Sequence, residues 1–296
     1  MAEKAISPMV LNLSATRNSH HNLQQVNNFT FSISDLVSLR VYSDTEPHNL
    51  KIADLQKGLI LVINRAETVG EGTGFGVPIL VYSDETYFSG TSNLYASQRG
   101  SSCAIVKEFT MDRIARNNYR NVTLENRAAR SFIEHLSDLY QKHPRFRFLA
   151  LKDLTGRLSI GETFLEAEPR GKITVTYTVD KKRITVKADF QKVERIGLQK
   201  IFMLNEQGAT FFRSYIDSLG TELAENEIGA WDGVDGEWAC LKASKGEAAF
   251  RLWKVRNAVL RRGREFLEGS LDWVGLDYEI SRNSIVFEYV IDVLSV

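Results

Sequence analysis

The residues of this sequence that are best suited to ligand chemistry are concentrated between positions 231 and 279. Three short stretches there combine tryptophans with carboxylates and arginines: WDGVDGEW (231–238), RRGREF (261–266) and LDWVGLDYE (271–279). All four tryptophans of the chain fall in this region, at Trp231, Trp238, Trp253 and Trp273. An aromatic ring packs on the apolar face of a sugar, and charged side chains bind the sugar hydroxyls. The region therefore indicates a carbohydrate site.

We assign roles to individual residues by side-chain type. A carboxylate can act as the base in sugar chemistry, and a cation can stabilise the enolate or alkoxide that develops opposite it. We predict the catalytic residues Glu265, Asp232 and Arg264. We predict the substrate-binding residues Trp231, Trp273, Tyr87 and Arg262. The alternative interpretation is structural, because tryptophans in β-sandwiches commonly belong to the core and an Arg–Glu neighbour pair commonly forms a solvated face.

Other catalytic motifs are missing from the sequence. None of the histidines (His20, His21, His48, His135 and His143) has the spacing of a metal-binding pair such as H-E-x-x-H. The sequence also contains no G-x-S-x-G elbow, although a Ser-His-Asp triad with distant members remains open. We predict that the protein holds no metal ion and needs no cofactor.

A glycine-dense stretch at residues 57–90 raises the question of a nucleotide site. Its glycines follow the pattern G-x-G-x-G-x-G at positions 70–76, whereas the dinucleotide fingerprint is G-x-G-x-x-G at the start of a helix. Apolar runs rich in β-branched residues flank the glycines at 59–63 and 77–82. We therefore predict a β-hairpin, with glycines at positive φ or at a close backbone approach.

Short strand-like segments make up most of the remaining chain. Residues 172–179 and 183–190 alternate apolar and polar side chains, which is typical of a hairpin with one solvated face. One helix is predicted at 126–143, because its apolar residues share a stripe at helical spacing. Residues 112–122 are interpreted as a polar connection. The predicted fold class is all-β and mainly antiparallel, a large β-sandwich or supersandwich with one substantial helix.

The predicted domain organisation is simple. Residues 1–27 are polar and rich in asparagine, which indicates an N-terminal arm. Residues 28–296 are expected to form a single β-sandwich domain. A subdivision at the connection and helix of residues 111–143 is the alternative.

Charge and composition narrow the classes of partner. The chain has 37 basic and 37 acidic residues, so it lacks the positive footprint of a nucleic-acid-binding protein. No apolar run approaches the length of a membrane span, and the N-terminus does not resemble a signal peptide. Only two cysteines occur, too few for a disulfide framework. We expect a cytoplasmic protein without nucleic-acid or membrane partners.

The many antiparallel strands and the C-terminal third rich in tryptophan and carboxylate resemble the galactose mutarotase-like β-supersandwich group. That group includes aldose epimerases and the sandwich domains of polysaccharide lyases and of some glycosidases. The resemblance covers residues 29–294 and implies a carbohydrate ligand. Mutarotases have a histidine pair in mid-chain and a late catalytic glutamate, whereas this chain offers His135 and His143 beside a predicted helix. No catalytic residue is transferred from the group on this basis.

Two functions follow as hypotheses. The first is a protein that binds a carbohydrate or acts on it as an epimerase, lyase or glycosidase. The second is a non-catalytic structural or protein-interaction protein of the same fold.

Overall fold

The structure is a computed structural model and describes residues 23–43, 55–68, 73–119, 122–123, 160–225, 227–229, 231–266 and 272–295. Within these ranges the chain is all-β, every strand pairing is antiparallel, and no helix occurs. The predicted all-β, antiparallel fold class is thereby confirmed. The helix predicted at 126–143 and most of the predicted arm lie outside the described residues.

The described residues form 21 strands. In chain order they are β1 (Gln24–Gln25), β2 (Asn28–Ser32), β3 (Val37–Tyr42), β4 (Ile60–Ile63), β5 (Ala66–Glu67), β6 (Gly74–Tyr82), β7 (Thr86–Arg99), β8 (Ser102–Tyr119), β9 (Val122–Thr123), β10 (Ile160–Glu166), β11 (Gly171–Asp180), β12 (Arg183–Val193), β13 (Leu198–Gly208), β14 (Phe212–Asp217), β15 (Glu222–Ala224), β16 (Asp232–Gly233), β17 (Trp238–Ala243), β18 (Ala248–Trp253), β19 (Ala258–Phe266), β20 (Asp272–Ser281) and β21 (Val286–Ser295).

The strands form two packed layers and a small separate sheet. Layer I runs in the order β15-β14-β17-β18-β21-β12-β11-β8-β7. Layer II runs in the order β16-β19-β20-β13-β6. The small sheet is β2-β3-β4-β5. Layers I and II are continuous in hydrogen bonding, because β6 pairs with the start of β7 at Leu80–Tyr87 and Val81–Thr86.

The continuous sheet passes from one layer to the other along β7 and β8. Their pairing register shifts between Phe88 and Ser89 and again between Ser89 and Thr91. Such bulges bend a strand and increase its twist. Beyond the shift, β8 continues to Tyr119 and pairs with β10 rather than with β11.

The core lies between the two layers and is rich in aromatic rings. Phe250 of layer I contacts Phe75 of layer II with ring centroids 5.1 Å apart, and Tyr289 contacts Tyr278 at 4.8 Å. The Tyr289 hydroxyl also donates a hydrogen bond to the Asn205 side-chain oxygen at 2.7 Å. These contacts define which face of each layer points inward. Strand residues of opposite parity point outward, and they form the surfaces on which a ligand could bind.

Two sequence predictions about this architecture were wrong. The segments 59–63 and 77–82 do not form a hairpin with each other, because β4 belongs to the small sheet and β6 to layer II, with a single bridge at Leu59–Phe75. The predicted connection at 112–122 is largely strand, since β8 runs through to Tyr119. The predicted close backbone approach does occur in this stretch, since a Cβ on Gly76 would lie 2.8 Å from the Tyr177 hydroxyl oxygen.

Candidate functional site

The outer face of layer II carries an aromatic ring seated on two glycines. Gly263 on β19 and Gly275 on β20 are directly opposite each other. A Cβ placed on Gly263 would lie 2.5–2.9 Å from three neighbouring atoms of the Trp231 indole, Cγ, Cδ2 and Cε3. A Cβ on Gly275 would lie 3.0 Å from Cη2 of the same ring. The indole therefore covers both strands with its face rather than its edge. We call Trp231, Gly263 and Gly275 the platform.

Two carboxylates flank the platform. Glu206 on β13 is paired with Gly275, and its Cγ would lie 2.7 Å from a Cβ on that glycine. Asp277 follows Gly275 by two residues on β20 and accepts a hydrogen bond from the Asn205 backbone N–H at 2.7 Å. Both are buried, with 7% of Glu206 and 3% of Asp277 exposed. Carboxylates placed so close to an aromatic ring are suited to accept hydrogen bonds from hydroxyl groups.

A charged network extends the platform along the same face. Arg261 donates one hydrogen bond to the Trp231 carbonyl oxygen at 2.6 Å and another to Glu279 at 3.2 Å. Lys200 forms an ion pair with the second oxygen of Glu279 at 2.7 Å. Arg261 thus fixes the main chain beside the indole. Its guanidinium is half-buried and remains within reach of a ligand on this face.

Two of the predicted site residues share this face with the platform. Trp231 is its ring, and Trp273 precedes Gly275 by two residues and so lies on the same side of β20. Trp273 is nearly buried, with 7% of its surface exposed. Position 265 is paired with Trp273 in the β19–β20 register, so the backbone of Glu265 lies two residues along β19 from Gly263 of the platform.

Arg264 and Arg262 lie on the opposite, inward side of β19, at the edge of the sandwich. Arg264 is buried and donates hydrogen bonds to the Glu225 carboxylate at 2.7 Å and to the Glu225 carbonyl at 3.2 Å. Arg262 places its guanidinium 5.1 Å from the Tyr215 ring centroid of layer I. Both arginines therefore link β19 to the chain segments of layer I. Asp232 is exposed and paired with Arg262.

Tyr87 lies in a separate cluster on β7. Its hydroxyl accepts a hydrogen bond from Arg170 Nε at 3.3 Å, and the same guanidinium lies over the rings of Tyr82 and Tyr87. Burial raises the pKa of Tyr82 to about 12. The strand pairings place Tyr87 beside Leu80, Leu80 beside Ile201 and Ile201 beside Ile280. Ile280 is seven residues from Trp273 on β20, which is a distance of roughly 23 Å along the strand. The structure does not bring Tyr87 to the platform.

The other two tryptophans lie on the outer face of layer I. The Arg251 guanidinium lies between Trp238 and Trp253, 5.4 Å and 4.7 Å from their ring centroids. Asp292 accepts hydrogen bonds from Trp253 Nε1 at 2.8 Å and from Arg251 at 3.0 Å, and Arg183 binds its second oxygen at 3.0 Å. The four tryptophans, which are close in sequence, are thus divided between two opposite surfaces.

Asp292 gives this cluster a dependence on pH. Burial by itself would raise the pKa of Asp292, but the hydrogen bonds from Trp253, Arg251 and Arg183 outweigh it and lower the pKa below its ordinary value of 3.8. A carboxylate with a lowered folded pKa stabilises the protein above its ordinary pKa, and this stabilisation is lost as the pH falls through the folded value. We therefore expect Asp292→Asn to lower the free energy of unfolding by about 2 kcal/mol at pH 7. Urea denaturation from pH 7 to pH 2 should show the difference from the wild type shrinking below pH 4. A difference that stays constant over this range would contradict the assignment.

Other kinds of site are not found among the described residues. No group of three or more His, Cys, Asp or Glu side chains in the described ranges could hold a metal ion. No helix in that part of the chain is long and apolar enough to cross a membrane. The two cysteines are buried, and burial raises the pKa of Cys103 to about 12 and of Cys240 to about 11. Neither thiol is a ready nucleophile, because the thiolate is the reactive form.

The residues that build the platform around Trp231 were not predicted from the sequence. Gly263 and Gly275 are single glycines inside strand-like segments, a pattern that marks a close approach to a backbone. Glu206 follows the short apolar run 201–204, and Asp277 lies in the strand-like segment 271–280. Nothing in the sequence indicates that β13 and β20 are neighbours, so the proximity of these two carboxylates could not be predicted.

Comparison with known proteins finds only distant similarity to solved structures. No protein-family model matches the sequence, and no curated protein matches it. Among solved structures, the α-N-acetylgalactosaminidase NagBb from Bifidobacterium bifidum bound to GalNAc is similar at 9% identity and a TM-score of 0.47, over 90% of this chain and 36% of that one. Its ligand-free form gives 10% identity and a TM-score of 0.45, with the same coverage of both chains. The Slr1438 protein from Synechocystis sp. PCC 6803 is similar at 7% identity and a TM-score of 0.36, over the full length of both chains. This chain thus spans about a third of the length of the glycosidase.

Proposed function

We propose that this protein binds a carbohydrate on the outer face of layer II, with Trp231 as the surface on which the sugar ring packs. The observation that carries the proposal is the seating of an indole face on Gly263 and Gly275. The core does not require this arrangement, because the ring lies on the outside of the sheet. Any side chain at either glycine would collide with the ring or with Glu206.

The geometry is suited to a pyranose. One face of the indole rests on the glycine backbones, so the opposite face is the one directed away from the sheet. The ring is half-buried, so part of it remains accessible. The C–H groups of a sugar pack on such a ring face, and its hydroxyls then reach polar groups at the ring margin. Here those groups are Glu206, Asp277 and Arg261.

The chemistry of the margin also includes the groups that an activity would require. Two carboxylates near a bound sugar can act as a general acid and a general base, and a guanidinium can stabilise negative charge. Glu206 lies beside Gly275 at the indole tip, and Asp277 is two residues farther along β20 on the same face. Glu265, whose backbone is two residues from Gly263 on β19, is a third candidate and was predicted from the sequence. Sugar binding is what we propose first, and catalysis on the bound sugar by these groups is an extension of it.

The proposal predicts a loss of sugar binding when Trp231 is replaced by alanine. Removing the ring should weaken the best ligand of a saccharide panel by about tenfold or more, since one aromatic packing surface contributes more than 1 kcal/mol. Calorimetric titration of the wild type and the variant measures this change. Trp253→Ala is the matched control, because it removes a tryptophan from the outer face of layer I, and it should leave the affinity unchanged.

A second variant separates the presence of the ring from its position. In Gly263→Ala the new Cβ would lie 2.5–2.9 Å from three atoms of the Trp231 ring, so the indole must move while remaining in the protein. Affinity should fall as it does in Trp231→Ala. The proposal is lost if no member of a broad saccharide panel binds the wild type, or if Trp253→Ala weakens binding as much as Trp231→Ala does.

The outer face of layer I favours the second hypothesis, a protein-interaction function. Trp253 is 37% exposed beside Arg251, and Leu294 and Val286 on β21 are also exposed. Exposed tryptophan and arginine are enriched at protein interfaces. Under this hypothesis the wild type binds no saccharide, and neither tryptophan substitution has an effect in the same titrations.

A further inference from the structure

A second candidate site is a cleft where β13 begins and β20 ends, away from the platform. It has a volume of about 760 Å³, which is within the range of small-molecule sites. Its polar lining residues are Arg195, Arg282, Gln191, Gln199, Asn283 and Ser83. The lining therefore combines two guanidiniums, three side-chain amides and one hydroxyl. Arg282 of the cleft is seven residues along the chain from Gly275 of the platform, which is a distance of roughly 23 Å. The two sites are therefore separate.

Hydrogen bonds to main-chain groups fix the walls of the cleft. Arg195 donates to the carbonyl oxygens of Arg282 at 2.6 Å, Phe190 at 2.7 Å and Ser284 at 3.0 Å. The Ser83 backbone N–H donates to the Gly197 carbonyl at 3.0 Å. These bonds join the β6–β7 turn, the β12–β13 turn and the β20–β21 turn. The Arg195 charge is thereby held in one position before any ligand arrives, which lowers the cost of ordering on binding.

No carboxylate among the described residues balances the two arginines. Neither Arg195 nor Arg282 forms an ion pair with a described residue, although ten other described arginines and lysines do so. The acidic residues on the adjoining segment already bind other groups, one of them in the cleft wall itself. Asp189 accepts a hydrogen bond from the Gln191 backbone N–H at 2.8 Å, and Glu194 binds Arg170 at 2.8 Å. The cleft is therefore a concentration of positive charge and hydrogen-bond donors.

We propose that this cleft binds a small oxyanion, a phosphate, sulfate or carboxylate group on a hydroxylated molecule. Guanidinium groups form their strongest hydrogen bonds with such anions. Arg282 is the main contact, because its guanidinium donates no hydrogen bond within the described residues and it lines the same cleft as Arg195. The amides of Gln191, Gln199 and Asn283 bind hydroxyls next to the anionic group. This site is independent of the platform and of the function proposed there.

Titration calorimetry with the full chain at low ionic strength tests the proposal. The probes are inorganic phosphate, sulfate and glucuronate, with glucose as the uncharged comparison. Arg282→Gln removes the charge and should weaken the anions by about tenfold or more, while glucose binding at this site stays undetectable. Arg256→Gln removes an exposed positive charge from the β18–β19 connection and should leave anion affinity unchanged. Thermal unfolding confirms that both variants are folded.

The outcomes separate the sources of the anion. Tighter binding of glucuronate than of sulfate, lost in Gln199→Ala, supports a sugar acid, and equal binding of all three anions supports recognition of the anionic group alone. Trp231→Ala should leave these affinities unchanged, so failure at the platform and failure here are distinguishable. The proposal is overturned if no anion binds at concentrations in the tens of millimolar, or if Arg282→Gln and Arg256→Gln weaken binding equally.

Discussion

Replacing Asn205 by leucine is expected to lower the free energy of unfolding by about 4 kcal/mol. The Asn205 side chain is fully buried and joins both layers. Its oxygen accepts hydrogen bonds from the Tyr289 hydroxyl at 2.7 Å and from the Gly76 N–H at 3.2 Å. Its nitrogen donates to the carbonyls of Met203 and Leu276 at 3.2 Å each. Leucine would leave all four partners without this hydrogen bond in a site that excludes water.

Chemical denaturation of a small set of variants measures this effect. Tyr289→Phe alone should cost about 1 kcal/mol, since it removes one donor and leaves Asn205 with its other partners. In the Asn205→Leu background the same change should cost nothing or be stabilising, because it removes an orphaned hydroxyl. A cost below about 1.5 kcal/mol for Asn205→Leu would show that water replaces the side chain, contrary to this expectation.

Replacing Gly58 by alanine is expected to cost about 3 kcal/mol or more. A Cβ at this position would lie 2.2 Å from the Phe75 carbonyl oxygen and 2.9 Å from the Phe75 carbonyl carbon. Backbone atoms cannot rotate away as a side chain does. Phe75 exchanges both backbone hydrogen bonds with Leu59, so the added methyl group would separate the small sheet from layer II at the bridge that joins them.

Gly233→Ala is the matched control for this prediction. Gly233 lies in the short strand β16, and a Cβ there would meet no atom within 4 Å. Its replacement should change the free energy of unfolding by less than about 0.5 kcal/mol. Thermal and chemical denaturation of both variants give the comparison. Similar costs for the two substitutions would mean that loss of glycine, rather than the close approach at Phe75, determines the effect.

The sequence predicts strand positions well and strand neighbours poorly. The alternation at 172–179 and 183–190 identifies β11 and β12 and their hairpin, because the turn between them is short. The stretch at 57–90 gives two correct strands and an incorrect pairing. Apolar runs show that a segment is buried on both faces, but they do not show which sheet buries it. The polar residues 112–122 resemble a connection, although β8 runs through them to Tyr119, because strand pairing with β10 leaves little trace in the amino-acid pattern.

The same limit applies to the candidate site. Trp231 and Trp238 are seven residues apart, yet the chain crosses between the layers in that interval and places them on opposite surfaces. Arg262 and Arg264 alternate with Arg261 and Gly263 along β19, so their side chains point to the opposite face of the strand. They contact Tyr215 and Glu225 there. Residue types therefore identified the region of the site. Which residues meet there depends on the face of the strand and the layer to which each belongs, and neither is visible in the residue types.

The edges of the two layers have a consequence for behaviour at high concentration. Layer I ends in β15, with three residues, and layer II ends in β16, with two. Long exposed edge strands offer rows of free N–H and C=O groups to other chains and so promote aggregation. Strands this short, with the exposed acidic residues Glu222 and Asp232, offer little for another chain to extend. These two edges therefore oppose sheet-to-sheet polymerisation of the folded protein.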